Sequence, residues 1–420
     1  MPLAQYAAVH WIDHAMSGEM VPAVLQLILC LFTSESAPLK NWIQIFDVDT
    51  DKYLSMDGAK VCSPLYYSAL IGMQEVSDCM LHKGENVNVE GGRLGNALQA
   101  ASFGGYEAIV KLLLENGADV NAKGGEYGNA LQAASYGGYE VIVKLLLENG
   151  AKVNAWGGEY GNALQAVSFR GDEMIVKLLL ENGAEVNAKG GRFGNALQAA
   201  SCQGHEAIVK LLLENGAKVN VNGGVYGCAL QAASYGGYEV IVKLLLENGA
   251  GVNADALQAA SLRGYEVIVK LLLENGADVN AEGGEYGNAL QAASIGGYEA
   301  IVKLLLENGA EVNAEGGKYE NALQAASFRG NEGIVKLLLE NGAGVNTRGG
   351  QYGNALQAAS FRGDEAIMKL LLANGAEVNE EGGEYENALQ AAYYGGNKAI
   401  VKLLLKNGLG VNAEGGMHSK

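Results

Sequence analysis

The chain has 420 residues, a formal net charge of −18 and a pI near 4.8. That balance argues against nucleic acid and against an anionic membrane surface as partners, because both would repel it. The 60 glycines recur at fixed places, so they read as turn residues and not as a disordered tract. Cys30, Cys62, Cys79, Cys202 and Cys228 are odd in number and form no C-x-x-C, which suits small residues in a reduced compartment. The longest apolar run, Val21 to Phe32, contains Gln26 and falls short of the roughly 20 residues of a membrane span. The start, M-P-L-A-Q-Y-A-A-V-H, has no basic residue and no clean apolar run, unlike a signal peptide. A cytoplasmic protein is expected, with the nucleus left open.

Residues 1–62 differ from the rest and are expected to form a small helical N-terminal cap or linker. Tyr6, Ala7, Val9, Trp11 and Ile12 have roughly helical spacing. A second, buried helix is expected over Val21 to Phe32, starting at Pro22, which suits a first helical turn. Asn41 to Phe46 reads as a third short apolar element. Such a cap would cover the open end of a stacked array, whose first apolar layer would otherwise face water.

From residue 63 to 416 the chain repeats itself, leaving 417–420 as a tail. An N-A-L-Q core begins at Asn96, Asn129, Asn162, Asn195, Asn288, Asn321, Asn354 and Asn387, with variants at Cys228 and Asp255. Each step is 33 residues except the 27 from Cys228 to Asp255. A fixed period in this range signals a stacked array. Residues 63–95 form a degenerate first copy, in which S-P-L-Y-Y-S-A-L-I-G matches N-A-L-Q-A-A-S-F-G-G. About eleven helix–turn–helix repeats result, an all-α solenoid carrying hairpin loops.

Asn129 to Gly161 shows the physics of one copy. Asn129 is an N-cap, and Gln132 three residues on suggests a capping box. Ala130 to Tyr136 makes a short helix of small residues, ended by Gly137-Gly138, one of them left-handed. Glu140 opens a second helix at the positive end of its dipole, burying Ile142, Val143, Leu145, Leu146 and Leu147. Gly150 stops it, Ala151 to Asn154 extends, and Gly157-Gly158 turns the chain back. The shortened connection near 250–256 lacks the six residues of a hairpin tip, so a missing finger is expected there.

This pattern resembles the ankyrin repeat, whose consensus runs T-P-L-H…A-A…G-H…V-V…L-L-L…G-A-D-V-N. The N-A-L-Q of this chain departs from T-P-L-H but keeps a capping residue and a hydrogen-bonding side chain. The resemblance implies an ankyrin solenoid that binds protein partners and catalyses nothing. The G-G-x-Y-G-N-A-L-Q-A-A-S style is similar to ankyrin tails of fungal NACHT-type, NOD-like proteins, and residues 1–46 resemble the segment that joins them to their NTPase. No G-x-x-x-x-G-K-[ST] is present. That resemblance implies an alternative: a detached recognition tail or regulatory subunit of such a signalling NTPase.

Other chemistry is weakly signalled. Asp47, Asp49, Asp51 and Asp57 lack the Gly and Glu of a calcium loop, where Lys52 and Gly58 stand instead. His10 and His14 have helical ligand spacing without a completing residue. The Glu and Lys four apart, as in Glu140 and Lys144, form a solvated face. No cofactor and no metal is expected.

The places that vary on this constant frame are the candidates for recognition. One is the end of the first helix: Phe103, Tyr136, Phe169-Arg170, Gln203, Tyr235, Arg263, Phe328-Arg329, Phe361-Arg362 and Tyr394. The resemblance puts this place in the concave groove, and aromatics interleaved with Arg suit a protein-binding hot spot. The alternative is that these aromatics cover neighbouring first helices. The second place is the hairpin tip, with Glu126, Glu159, Arg192 and Lys318 changing sign, and with Trp156 standing where other copies have Lys or Glu. The aromatic of each tip either braces the turn or faces a partner. The acidic surface favours a protein partner of basic or mixed charge. The last repeat has no clear polar cap, so this end either frays or stacks on another chain.

Overall fold

The computed structural model describes residues 10–12, 22–32, 39, 41–43 and 62–406. The Asp47–Asp57 cluster, His14 and the 407–420 segment lie outside the described residues. The chain divides into two compact units, residues 1–229 and 230–420.

In the first unit, a helix at Pro22–Leu31 precedes the helix pairs Pro64–Leu70 and Gln74–His82, Ala97–Gly104 and Glu107–Glu115, Ala130–Gly137 and Glu140–Glu148, Ala163–Arg170 and Glu173–Glu181, and Ala196–Gln203 and Glu206–Glu214. The Pro22 helix starts where a proline is tolerated, since its missing N–H would be unsatisfied there anyway. Trp42 anchors this region to the repeats: its ring lies 5.2 Å from Trp11, 6.1 Å from Phe32 and 6.3 Å from Tyr67 of the first pair.

Ala229–Gly236, whose first residue closes the first unit, pairs with Glu239–Glu247. The second unit continues with Ala254–Arg263 and Glu266–Glu274, Ala289–Gly296 and Glu299–Glu307, Ala322–Arg329 and Glu332–Glu340, Ala355–Arg362 and Glu365–Ala373, and Ala388–Tyr394 and Lys398–Lys406. Among the described residues the only β-structure is isolated bridges inside the tips, such as Gly157 with Gly161. Within each unit, first helices lie against first helices more closely than second against second.

The composition of each helix explains this. In Ala130–Gly137, Ala130, Leu131, Ala133 and Ala134 are no more than 1% exposed. Three alanines allow close approach of neighbouring backbones, and Leu131 fills the space between layers. The helix ends on Gly138, left-handed at φ 80. In Glu140–Glu148 the buried face is Ile142, Val143 and Leu146. Leu145 and Leu147 are only half-buried, because 3.6-residue spacing puts them on the flanks. Burying each of the three contributes about 1.5–3 kcal/mol. Glu140 is the first helical residue and pairs with Lys144 at 3.3 Å on the exposed side.

The expected capping box is mostly absent, and the glutamine has another role. Asn129 Oδ1 accepts from Gln132 N at 2.9 Å, so the cap itself stands. Among the described residues the reciprocal bond is seen at Asn162 and Gln165. Gln132 instead reaches forward, its Nε2 donating to Ala155 O at 2.9 Å and Gly161 O at 3.3 Å. It ties its own repeat to both ends of the following tip. Gln198, Gln291 and Gln357 do the same in their repeats, and Gln99 bonds the entry side of its tip, at Ala122 O and Gly124 O. In the first pair Tyr66 takes this place, and its hydroxyl accepts from Leu94 N at 3.2 Å.

A second forward tie comes from the asparagine before each tip. Asn121 Oδ1 accepts from Lys152 N at 2.8 Å, and its Nδ2 donates to Gly150 O at 3.0 Å. Asn154 and Asn280 repeat both bonds one layer on. Between Glu247 and Ala254 no tip intervenes: Asn253 caps the next helix directly, accepting from Ala256 N at 3.1 Å.

Candidate partner-binding face

Each tip is a closed loop. Gly157 N donates to Gly161 O at 2.9 Å, and Gly158 has φ 64. A side chain at Gly158 would overlap the backbone of Tyr127 in the preceding tip, so glycine serves close approach as well as the turn. Successive tips join through backbone. Glu126 N donates to Arg93 O, Glu159 N to Glu126 O, and Arg192 N to Glu159 O, at 2.8–2.9 Å. In the second unit Lys318 N donates to Glu285 O, Gln351 N to Lys318 O and Glu384 N to Gln351 O.

The two variable places meet in one structure. The helix-end ring of Tyr136 lies 4.9 Å from Tyr127 and 4.9 Å from Tyr160, the tip rings on either side. Phe169 lies between Tyr160 at 5.4 Å and Phe193 at 4.5 Å. Phe103 starts this ladder against Tyr127 at 5.1 Å. In the second unit Phe328 lies between Tyr319 and Tyr352, and Phe361 between Tyr352 and Tyr385. The tip aromatics Tyr127, Tyr160, Phe193, Tyr319 and Tyr352 are 4–7% exposed, so they brace the tips. The helix-end rings are half-buried and present edges, since their faces are stacked. Burial raises the phenol pKa of Tyr127 and of Tyr160, the latter helped by the Tyr136 hydroxyl, and pushes Tyr352 up to about 12.

The charged candidates divide into two groups. At the tips, Glu126 pairs with Arg93, and Glu159 with Arg192 at 2.6 Å. The Arg192 guanidinium lies 5.7 Å from the Phe193 ring, and Lys318 Nζ 5.6 Å from that of Tyr319. The two ion pairs hold neighbouring tips together, whereas the cation–ring contacts lie within one tip. Trp156 is 58% exposed and lies beside Gly190 of the next tip. At the helix ends, Arg170, Gln203, Arg263, Arg329 and Arg362 are exposed. Arg263 sits 4.7 Å over the ring of Tyr235, which is 39% exposed. Cys202 replaces a ring beside Gln203; it is buried, and burial pushes its thiol pKa up to about 11. Tyr394 is 68% exposed beside Tyr385.

A local steric relation accompanies Arg170, Arg329 and Arg362. In Gly137-Gly138-Tyr139 the tyrosine ring lies where a Cβ on Gly137 would be, and Tyr106 and Tyr238 cover Gly104 and Gly236 in the same way. Where Arg170, Arg329 and Arg362 replace that glycine, Asp172, Asn331 and Asp364 replace the tyrosine. Each then caps the second helix, accepting at 3.1 Å from Ile175 N, Ile334 N and Ile367 N respectively.

Among the described residues no cluster of three metal-ligand side chains occurs, and no helix is long and apolar enough to cross a membrane. No curated protein matches the chain. A family model described as ankyrin repeats (3 copies) matches residues 65–156, 99–190, 130–223, 163–256, 229–316, 256–349, 290–382 and 355–418. The matched segments run through the helix pairs, caps and tips described above, and the chain belongs to the ankyrin repeat family, whose repeats are protein–protein interaction modules.

Proposed function

We propose that this chain is a non-catalytic scaffold that holds a protein partner along the side where first-helix ends and tips meet. The observation that carries this reading is the exposed arginines beside half-buried rings within each unit, Arg170 in the first and Arg329 and Arg362 in the second, with Arg263 over the more exposed Tyr235 ring. Arginine next to aromatic edges is the composition of an interface hot spot. In a chain of net charge −18, these cations are local exceptions. The partner is therefore of mixed charge: carboxylates meet the arginines, and basic groups meet the surrounding acidic surface. A cytoplasmic setting fits the odd number of cysteines and the absence of any C-x-x-C. The N-terminal resemblance to a NACHT-linked segment falls mostly outside the described residues and carries no second reading.

Capture from cell extract with wild-type chain and with Arg170→Glu/Arg329→Glu/Arg362→Glu tests the proposal. Loss of specifically captured proteins by the triple variant, at unchanged melting temperature, is the expected outcome. Retention of every captured partner would remove the arginine face from consideration.

A further inference from the structure

The second unit lacks one tip, and its neighbours show what would fill the gap. Elsewhere, helix-end and tip positions alternate along the ladder. Between Tyr235 and Leu262 no tip residue exists, because Asn253 caps Ala254–Arg263 at once. The guanidinium of Arg263 lies over the Tyr235 ring instead, at 4.7 Å, and that ring is 39% exposed. The backbone ladder stops at the same place. Glu285 O accepts from Lys318 N at 3.0 Å, but Glu285 N–H has no acceptor among the described residues of this unit.

We propose that this gap is a docking slot for an extended partner segment carrying a basic residue followed by an aromatic one. The partner's basic residue places its carbonyl on Glu285 N–H, continuing the tip-to-tip ladder by one member. The next residue's ring enters between Tyr235 and Leu262, where a tip ring would stand, and the Arg263 guanidinium stacks on it. Basic chemistry at the first position follows from Glu285. Tip glutamates can pair with a cation in an adjacent tip, as Glu126 does with Arg93 and Glu159 with Arg192. Glu285 makes no such pair with Lys318, whose Nζ lies over the Tyr319 ring, so its carboxylate is left for the partner's basic residue. The slot needs none of Arg170, Arg329 and Arg362, so it goes beyond the function proposed above and can fail separately from it.

The probe is a labelled peptide, Gly-Gly-Arg-Phe-Gly-Asn, which copies residues 190–195 of this chain. Fluorescence anisotropy should show saturable binding, weakened tenfold or more when Phe is replaced by Ala and severalfold when Arg is replaced by Glu. Two variants test the site. Inserting Glu-Gly-Gly-Glu-Tyr-Gly between Ala254 and Asp255 copies residues 282–287 and should abolish binding by filling the slot. Glu285→Arg should reverse the preference, so that the Glu peptide binds better than the Arg peptide. The reversal keeps the test decisive if the insertion unfolds the chain. Absence of binding to the wild type, equal binding to a folded insertion variant, or an unreversed preference in Glu285→Arg would each overturn the proposal.

Discussion

Two glutamates occupy backbone positions that their sister repeats give to glycine. Glu320 and Glu386 have φ 66 and 61, whereas the matching places hold Gly95, Gly128, Gly161, Gly194, Gly227, Gly287 and Gly353, with φ between 73 and 107. An L side chain in the left-handed region costs roughly 1–2 kcal/mol. Glycine returns part of that through the freedom of the unfolded chain, about 0.4–1 kcal/mol. Glu320→Gly is therefore expected to stabilise the protein by about 0.5–1 kcal/mol, seen as a higher urea midpoint at unchanged slope. Glu386→Gly should gain less, because Glu386 Oε2 accepts from Gln390 Nε2 at 2.9 Å and that bond would go. A lower midpoint for Glu320→Gly would mean that its carboxylate has a structural role.

The ends of the first helices obey a pairwise rule that can be measured. Arginine in place of Gly137 would collide with Tyr139, and Tyr139→Asp alone would uncover Gly137 while adding a helix cap. Gly137→Arg should cost about 2 kcal/mol, and adding Tyr139→Asp should recover most of it. A double-mutant cycle from urea melts should give a favourable coupling of about 1–2 kcal/mol, and additivity within 0.5 kcal/mol would refute the rule. Arg263, which keeps Tyr265, is an exception to the rule: that ring lies over Gly237 as Tyr139 lies over Gly105. Much at this scale is legible in the sequence. The 33-residue period gives the helix pairs, Asn129 the cap, Gly138 the left-handed end and the short step the missing tip. The roles of Gln132 and Asn121 are not, because their partners lie 23–31 residues ahead in the next loop. Capping is the only local bond that the sequence around Gln132 suggests. A side chain that stays constant through the copies without a local role was the available sign of a bond between layers. The tip glutamates look like free recognition charges for the same reason: their partners are one period away.

An array held together by bonds from each layer to the next is only as stable locally as its neighbours make it. The pair Ala388–Tyr394 and Lys398–Lys406 shows this in its exposure: Tyr393 is 77% and Tyr394 68% exposed, against a half-buried Tyr136 in the interior. Its charges add to the effect. Most other second helices, such as Glu140–Glu148, begin and end on glutamate, but this one reads K-A-I-V-K-L-L-L-K. Lys398 puts positive charge at the positive end of the helix dipole and faces Lys402 four residues on, both unfavourable. Together these amount to about 0.5–1.5 kcal/mol relative to a glutamate start. Opening should therefore begin here, since subglobal unfolding follows local contact density. Native-state hydrogen exchange should be faster in 398–406 than in 140–148, and Lys398→Glu should slow it by roughly three- to tenfold while leaving 140–148 unchanged. Equal exchange in the two helices would show that the layers open as one cooperative body. An unchanged rate in Lys398→Glu would show that exposure of Tyr393 and Tyr394, and not charge, sets the stability of this end.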